Sequence, residues 1–109
     1  ESFASEVSFF ASDASGIALL FADRTVKCYG TDGACLFTRS VSDQVRAISK
    51  CGETVFLKTD RRILRYRRSA EHPDETLCLG YDGVMLPYSE SCVLLTANGE
   101  ARYFRFPTE

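Results

Sequence analysis

Five arginines, Arg61, Arg62, Arg65, Arg67 and Arg68, crowd into a single stretch of this 109-residue chain, with Tyr66 among them. A guanidinium presents a planar fork of donors that matches carboxylate or phosphate oxygens in pairs. A neighbouring tyrosine ring can stack on it. The chemistry this allows is recognition: a grip on an acidic peptide, a phosphate or RNA. Arg61, Arg62, Arg65, Tyr66, Arg67 and Arg68 are therefore the candidate partner-binding residues. The competing reading is a solvated outer strand whose charge blocks edge-to-edge pairing. Asp60, Glu71, Asp74 and Glu75 lie close enough in sequence to neutralise the cluster.

Catalysis has less to work with. The single histidine, His72, precedes Pro73 in RRSAEHPDE, which reads as the longest connector between strands. No nucleophile elbow surrounds a serine, and no Gly-rich phosphate loop occurs. The five cysteines, Cys28, Cys35, Cys51, Cys78 and Cys92, are separated by 7, 16, 27 and 14 residues. An odd count argues against a closed disulfide framework, and no pair has the CxxC spacing of a zinc knuckle. They read as small buried hydrophobes in a reducing compartment. No enzyme activity, metal or cofactor is expected.

The totals narrow the class further. Formal charge is −2 and the pI about 5.4, so the chain as a whole is not marked as a nucleic-acid binder. Hydrophobic residues make up 45%, enough for a core. No apolar run approaches the roughly 18–20 residues needed to cross a bilayer. The first residues, ESFASEVSFF, lack the basic start of a signal peptide. The expectation is an intracellular protein, cytoplasmic or nuclear, with no membrane contact.

The elements that would carry these residues repeat. ALLFADRTVKCY (18–29), VFLKTDRRILRY (55–66) and VLLTANGEARYF (93–104) each run apolar triplet, turn, strand, ending on an aromatic. The turns centre on Asp23, Asp60 and Asn98, steps of 37 and 38 residues. Upstream strands VSFFAS, VRAISK and VMLPYS begin at Val7, Val45 and Val84, steps of 38 and 39. Asp, Asn and Gly at the turns suit tight hairpins because they tolerate positive φ. Three units follow, approximately 7–43, 44–82 and 83–109, within one domain or a fragment of one spanning 1–109. The first two have four strands, and the third stops at FRFPTE without a fourth. A lone four-stranded sheet buries neither face well, so radial stacking of sheets is the physical solution at this period. Tyr29, Tyr66, Tyr103, Phe104 and Phe106 are expected between the sheets.

These units resemble degenerate blades of the WD40-like β-propeller superfamily, from Val7 to Phe106. There is no Trp, hence no Trp-Asp dipeptide, and no Gly-His start. The fold implied is all-β: antiparallel four-stranded repeat units forming a partial propeller of about three blades. The function implied is a non-catalytic protein–protein interaction scaffold that assembles partners in a larger complex. Closure of a ring needs at least about four blades. The partner would be another protein or the rest of the same chain, with a homo-oligomer as a further possibility. Nucleic acid is not expected.

A second resemblance competes. GIALLFADRTVKCYGTDG is similar to the first strands of a polo box, with RRILRYRRSAEH as that module's packing helix. This alternative implies an α+β recruitment module of a kinase or of a kinetochore- or centriole-type assembly. The family's phosphopeptide residues do not carry over, because His72 is not in a His-x-Lys pair. A third alternative is an RNA- or phosphate-binding surface on the arginine cluster.

Overall fold

Apolar and polar residues alternate between turns rich in Asp, Asn and Gly, and each run becomes a strand. The computed structural model describes residues 6–79, 81 and 83–106. Among these, eleven strands form three antiparallel sheets. The first sheet contains β1 (Val7–Asp13), β2 (Gly16–Phe21), β3 (Thr25–Gly30) and β4 (Cys35–Ser40). The second contains β5 (Ala47–Cys51), β6 (Thr54–Lys58), β7 (Arg62–Arg67) and β8 (Ala70–Leu77). The third contains β9 (Met85–Ser89), β10 (Cys92–Ala97) and β11 (Glu100–Arg105). Each sheet is a meander in chain order, so every connection within it is a hairpin.

Turn chemistry explains the hairpins, with one revision. Between β10 and β11, Asn98 and Gly99 both take positive φ (51° and 81°), as a two-residue hairpin requires. At the β2–β3 turn the positive φ falls on Arg24 (67°) rather than on Asp23. Asp23 acts instead through its carboxylate, which accepts from the Thr25 amide at 3.1 Å. Asp60 is likewise not in the left-handed region. There the Thr59 hydroxyl accepts from the Arg61 and Arg62 amides (3.3 and 3.2 Å). Gly16, at the end of the β1–β2 turn, has φ 142°, and a Cβ there would sit 1.9 Å from the Tyr29 carbonyl oxygen. Only glycine lets β2 approach β3 so closely at that point.

The stretch 61–72 is strand, turn and strand, not the packing helix that a polo box would need. Nor is RRSAEHPDE a connector. Its Ala70–Glu75 portion belongs to β8, which pairs with β7 through Leu64↔Glu75, Arg65↔Asp74 and Arg67↔Ala70, with a bulge between the last two. Pro73 is tolerated because β8 is the outer edge of its sheet, where a missing N–H breaks no ladder.

The sheets stack face on face, β5 lying beside both β1 and β9. We call the face that meets the preceding sheet the front and the opposite one the rear. The first core layer joins Ala18, Leu20 and Cys28 on the rear of the first sheet to Val55, Leu57 and Tyr66 on the front of the second. The second layer joins Phe56 and Ile63 to Val93, Leu95 and Phe104. The middle sheet is covered on both sides, so all five residues of β6 are buried.

Candidate interaction surface

The arginine cluster does not form one patch, because strand alternation sends its members to different places. Tyr66 is buried in the first core layer. Arg65, one residue earlier, points the other way and is buried in the second layer at 2% exposure. Its Nε donates to Asp74 Oδ2 (3.0 Å), its Nη1 donates to the Glu90 carbonyl (3.1 Å), and the guanidinium lies 5.1 Å from the Phe106 ring centre. Arg67 pairs with Asp74 at 3.2 Å. Arg62 bridges Asp43 and Glu75, both at 2.7 Å. Arg68 reaches Glu53 at 3.3 Å in the open. Arg61 is exposed and edges an open groove with Arg62, where Asp43, Asp60 and Glu75 supply acids. Bases and acids therefore alternate in space. Arg62, by hydrogen bonding against a smaller desolvation effect, holds the Asp43 carboxyl below the usual range.

The junction between the first two sheets carries a polar pin that sequence reasoning missed. Lys50, in β5, has a fully buried side chain. Its Nζ donates to Asp13 Oδ1 (2.7 Å), Ser15 Oγ (2.7 Å) and the Gly52 carbonyl (2.6 Å). The Gly52 amide returns a bond to Asp13 Oδ2 at 2.9 Å. Desolvation pushes the Asp13 pKa up, but the bonds from Lys50, Ser15 and the Gly52 amide outweigh it and hold the carboxyl far below its usual range. At the second junction Thr54 donates to Glu90 Oε1 (2.9 Å), joining the β6 and β9–β10 regions. Arg39 of β4 donates to the Ala70 carbonyl (3.2 Å) and ties the outer strands together. The available signal was a lysine and a threonine inside strands that the repeat places between two sheets.

Cysteines divide by position. Cys28, Cys78 and Cys92 are buried, Cys51 is half-buried and Cys35 on β4 is exposed. Burial raises the thiol pKa of Cys28, Cys51 and Cys78. Cys35 is thus not the core residue expected of it. His72 is exposed on β8. No three of His, Cys, Asp and Glu cluster among the described residues. Among the expected interior aromatics, Phe104 and Phe106 are buried, Tyr29 is half-buried, and Tyr103 is 48% exposed.

Tyr103 leads to the surface that is open. The third sheet turns Met85, Val93, Leu95 and Phe104 inward. Alternation then places Leu86, Leu94 and Tyr103, which are cross-strand partners, on its rear face. Val84 (60% exposed), Leu86, Tyr88 (68%) and Tyr103 all meet solvent there. Tyr88 and Tyr103 stack edge to face at 5.2 Å between ring centres, and Arg105 covers the Tyr103 ring at 5.7 Å. Tyr and Arg around an apolar centre is the composition of an interface core. Among the described residues the outer side of β11 is unpaired as well. The Phe106 amide donates to the Ser91 carbonyl, so by antiparallel alternation the N–H and C=O groups of Ala101, Tyr103 and Arg105 point away from β10. Among the described residues no strand pairs with that side, whereas β3 and β7 at the same place pair with β4 and β8. Such an edge accepts an added strand.

No family model matches the chain, and no curated protein matches it significantly. Among solved structures it superposes on the crystal structure of HIRA(644-1017) with a TM-score of 0.74 at 12% sequence identity. The match covers 94% of this chain and 37% of that one, so the chain spans little more than a third of the neighbour's length. At this identity the likeness shows the fold alone. The chain has an all-β, WD40-like fold of antiparallel sheets in the manner of a partial propeller, and the likeness lends the polo-box alternative no support.

Proposed function

We propose that the chain is a non-catalytic protein-interaction scaffold and that the rear of its third sheet is the docking surface. The observation that carries this reading is the exposed cluster of Val84, Leu86, Tyr88 and Tyr103 on a sheet whose front packs against the second sheet. Contiguous exposed apolar groups on a soluble scaffold mark interaction sites. The outer side of β11, unpaired among the described residues, adds main-chain donors and acceptors to the same surface. The mutual pairing of the arginines with Asp43, Asp74, Glu75 and Glu53 weighs against a phosphate- or RNA-binding reading. Thiol burial at Cys28, Cys78 and Cys92 accords with an intracellular setting.

Affinity capture on immobilised chain, with retained proteins identified and quantified, tests the reading. The wild-type chain should hold a partner in stoichiometric amount, and Tyr88→Glu should lose it while keeping its melting temperature. Equal retention by both would remove the surface from consideration.

A further inference from the structure

The junction between the first two sheets is formed within the chain, and along its outer rim, between β4 and β8, it leaves a groove of about 400 Å³. That size falls among ligand clefts, which run from roughly 300 to 1,000 Å³. Hydrogen-bond donors line it. The Val41 amide donates to the Arg24 carbonyl (2.8 Å). By antiparallel alternation the main-chain groups of Arg39 then face β3, and those of Thr38 and Ser40 face outward. Among the described residues no strand pairs with that side of β4. Arg39 lies at the edge itself. Its Nη1 donates to the Thr38 carbonyl (2.9 Å), and its Nη2 to the carbonyls of Arg67, Arg68 and Ala70 (3.4, 3.4 and 3.2 Å). These acceptors are all neutral, and among the described residues the guanidinium meets no carboxylate. Glu71, which also lines the groove, forms no ion pair with it. Tyr66 lines the groove from within and is only 3% exposed. Its hydroxyl makes no hydrogen bond among the described residues, yet it is not sealed from solvent. A buried tyrosine hydroxyl ordinarily has a partner, and leaving it without one is costly. Burial raises the Tyr66 pKa, so the hydroxyl stays protonated and can donate.

We propose that this groove binds an acidic side chain carried by an extended segment of a partner protein. The carboxylate accepts from the Tyr66 hydroxyl and from the Arg39 guanidinium, which exchanges long bonds to neutral carbonyls for a shorter, charge-assisted one. The outward amides of Thr38 and Ser40 hold the segment's main chain, as a strand edge does for an added strand. The Pro73 ring and the edge of the Tyr66 ring give the acid's methylene groups an apolar wall. A carboxylate suits the groove better than a phosphate, because Glu71 shares the space and repels a dianion more strongly than a single charge. This site lies apart from the exposed face of the third sheet and does not depend on it.

Amide NMR on the 15N-labelled chain tests the proposal, with a capped pentapeptide, Thr-Val-Glu-Val-Thr, as the probe. At about 5 mM peptide, a complex with a Kd of about 1 mM is roughly five-sixths populated. The Thr38 and Ser40 amides and the Arg39 side chain should shift on titration. The same peptide with Gln in place of Glu should bind at least about fivefold more weakly, since it lacks the charge. Tyr66→Phe removes only the hydroxyl and should weaken the Glu peptide about two- to tenfold, the worth of one hydrogen bond, without lowering the melting temperature. Arg39→Gln should weaken it by a similar factor and narrow the preference for Glu over Gln. Absence of shifts in the wild type overturns the proposal. So does equal binding of the Glu and Gln peptides, or unchanged binding in both variants. Tighter binding of a phosphoserine counterpart overturns it as well, in favour of a phosphate site. Tyr88→Glu should leave the peptide's affinity as it is, so the groove and the third-sheet surface stand or fall separately.

Discussion

Lys50 and Asp13 form an ion pair whose two ends differ in their access to water. The Lys50 side chain is 0% exposed and that of Asp13 31%. Asp13→Asn keeps the shape of the turn but leaves the ammonium buried without its counter-charge. Breaking a buried pair from that side costs roughly 3–5 kcal/mol. The Ser15 hydroxyl and Gly52 carbonyl still accept from Lys50, which argues for about 3 kcal/mol, the lower end of that range. Lys50→Met strands the other partner, which water reaches and which keeps the bonds from Ser15 and the Gly52 amide. All three bonds from the ammonium are lost, but Ser15 is exposed to water and itself donates to the Gly52 carbonyl, so the uncompensated loss is about one charge-assisted hydrogen bond, on the order of 1.5 kcal/mol, and relief of the buried ammonium offsets part of it. Asp13→Asn should therefore be the more damaging by at least about 1.5 kcal/mol, and the double variant should resemble Lys50→Met. Urea unfolding separates these cases. With a slope of about 1–3 kcal/mol per molar, the two midpoints should differ on the order of 1 M. Lys50→Met equal to or worse than Asp13→Asn would refute the reasoning, because the cost would then not follow burial.

Two further outcomes are expected. The carboxyls of Asp13 and Asp43 have folded pKa values below their ordinary ones. Their contribution to stability is complete above the unfolded value of about 4 and is lost as pH falls through the folded values. The urea midpoint should thus fall between pH 6 and pH 3, less steeply in Lys50→Met, and a midpoint independent of pH would contradict this. Arg65→Glu should prevent folding, since it places a buried acid beside Asp74 and removes the bond to the Glu90 carbonyl. Arg61→Glu, at an exposed turn, should change stability by no more than about 0.5 kcal/mol. Equal melting temperatures for these two variants would show that the cluster is not structural.

Much of the architecture was legible because the forces that build it are local. Hairpins need particular residues at their turns, as Asn98–Gly99 shows, and a half-buried strand needs alternation. Both signals recur at a fixed interval and reveal stacked sheets. The outer strand of the second unit was expected after RRSAEHPDE, whereas β8 begins at Ala70; Glu71, His72, Pro73 and Asp74 have poor strand propensity, and β8 owes its position to the edge of β7. The fate of the arginines was hidden for a similar reason. A run of neighbours in sequence splits across two sides of a strand, and the acids that meet them lie as far away as Asp43 on one side and Asp74 on the other.

The sequence by itself determined the strand–turn rhythm, the three antiparallel units and the all-β class, since each depends on residues within a hairpin's reach. Only the tertiary structure decided which face each side chain occupies and which faces remain open. Alternation has a period of two, so a shift of one residue exchanges buried and exposed. That register is set by the neighbouring sheet: Lys50 became a pin, Arg65 an interior ion and Tyr103 a surface ring because of what stands, or does not stand, opposite them.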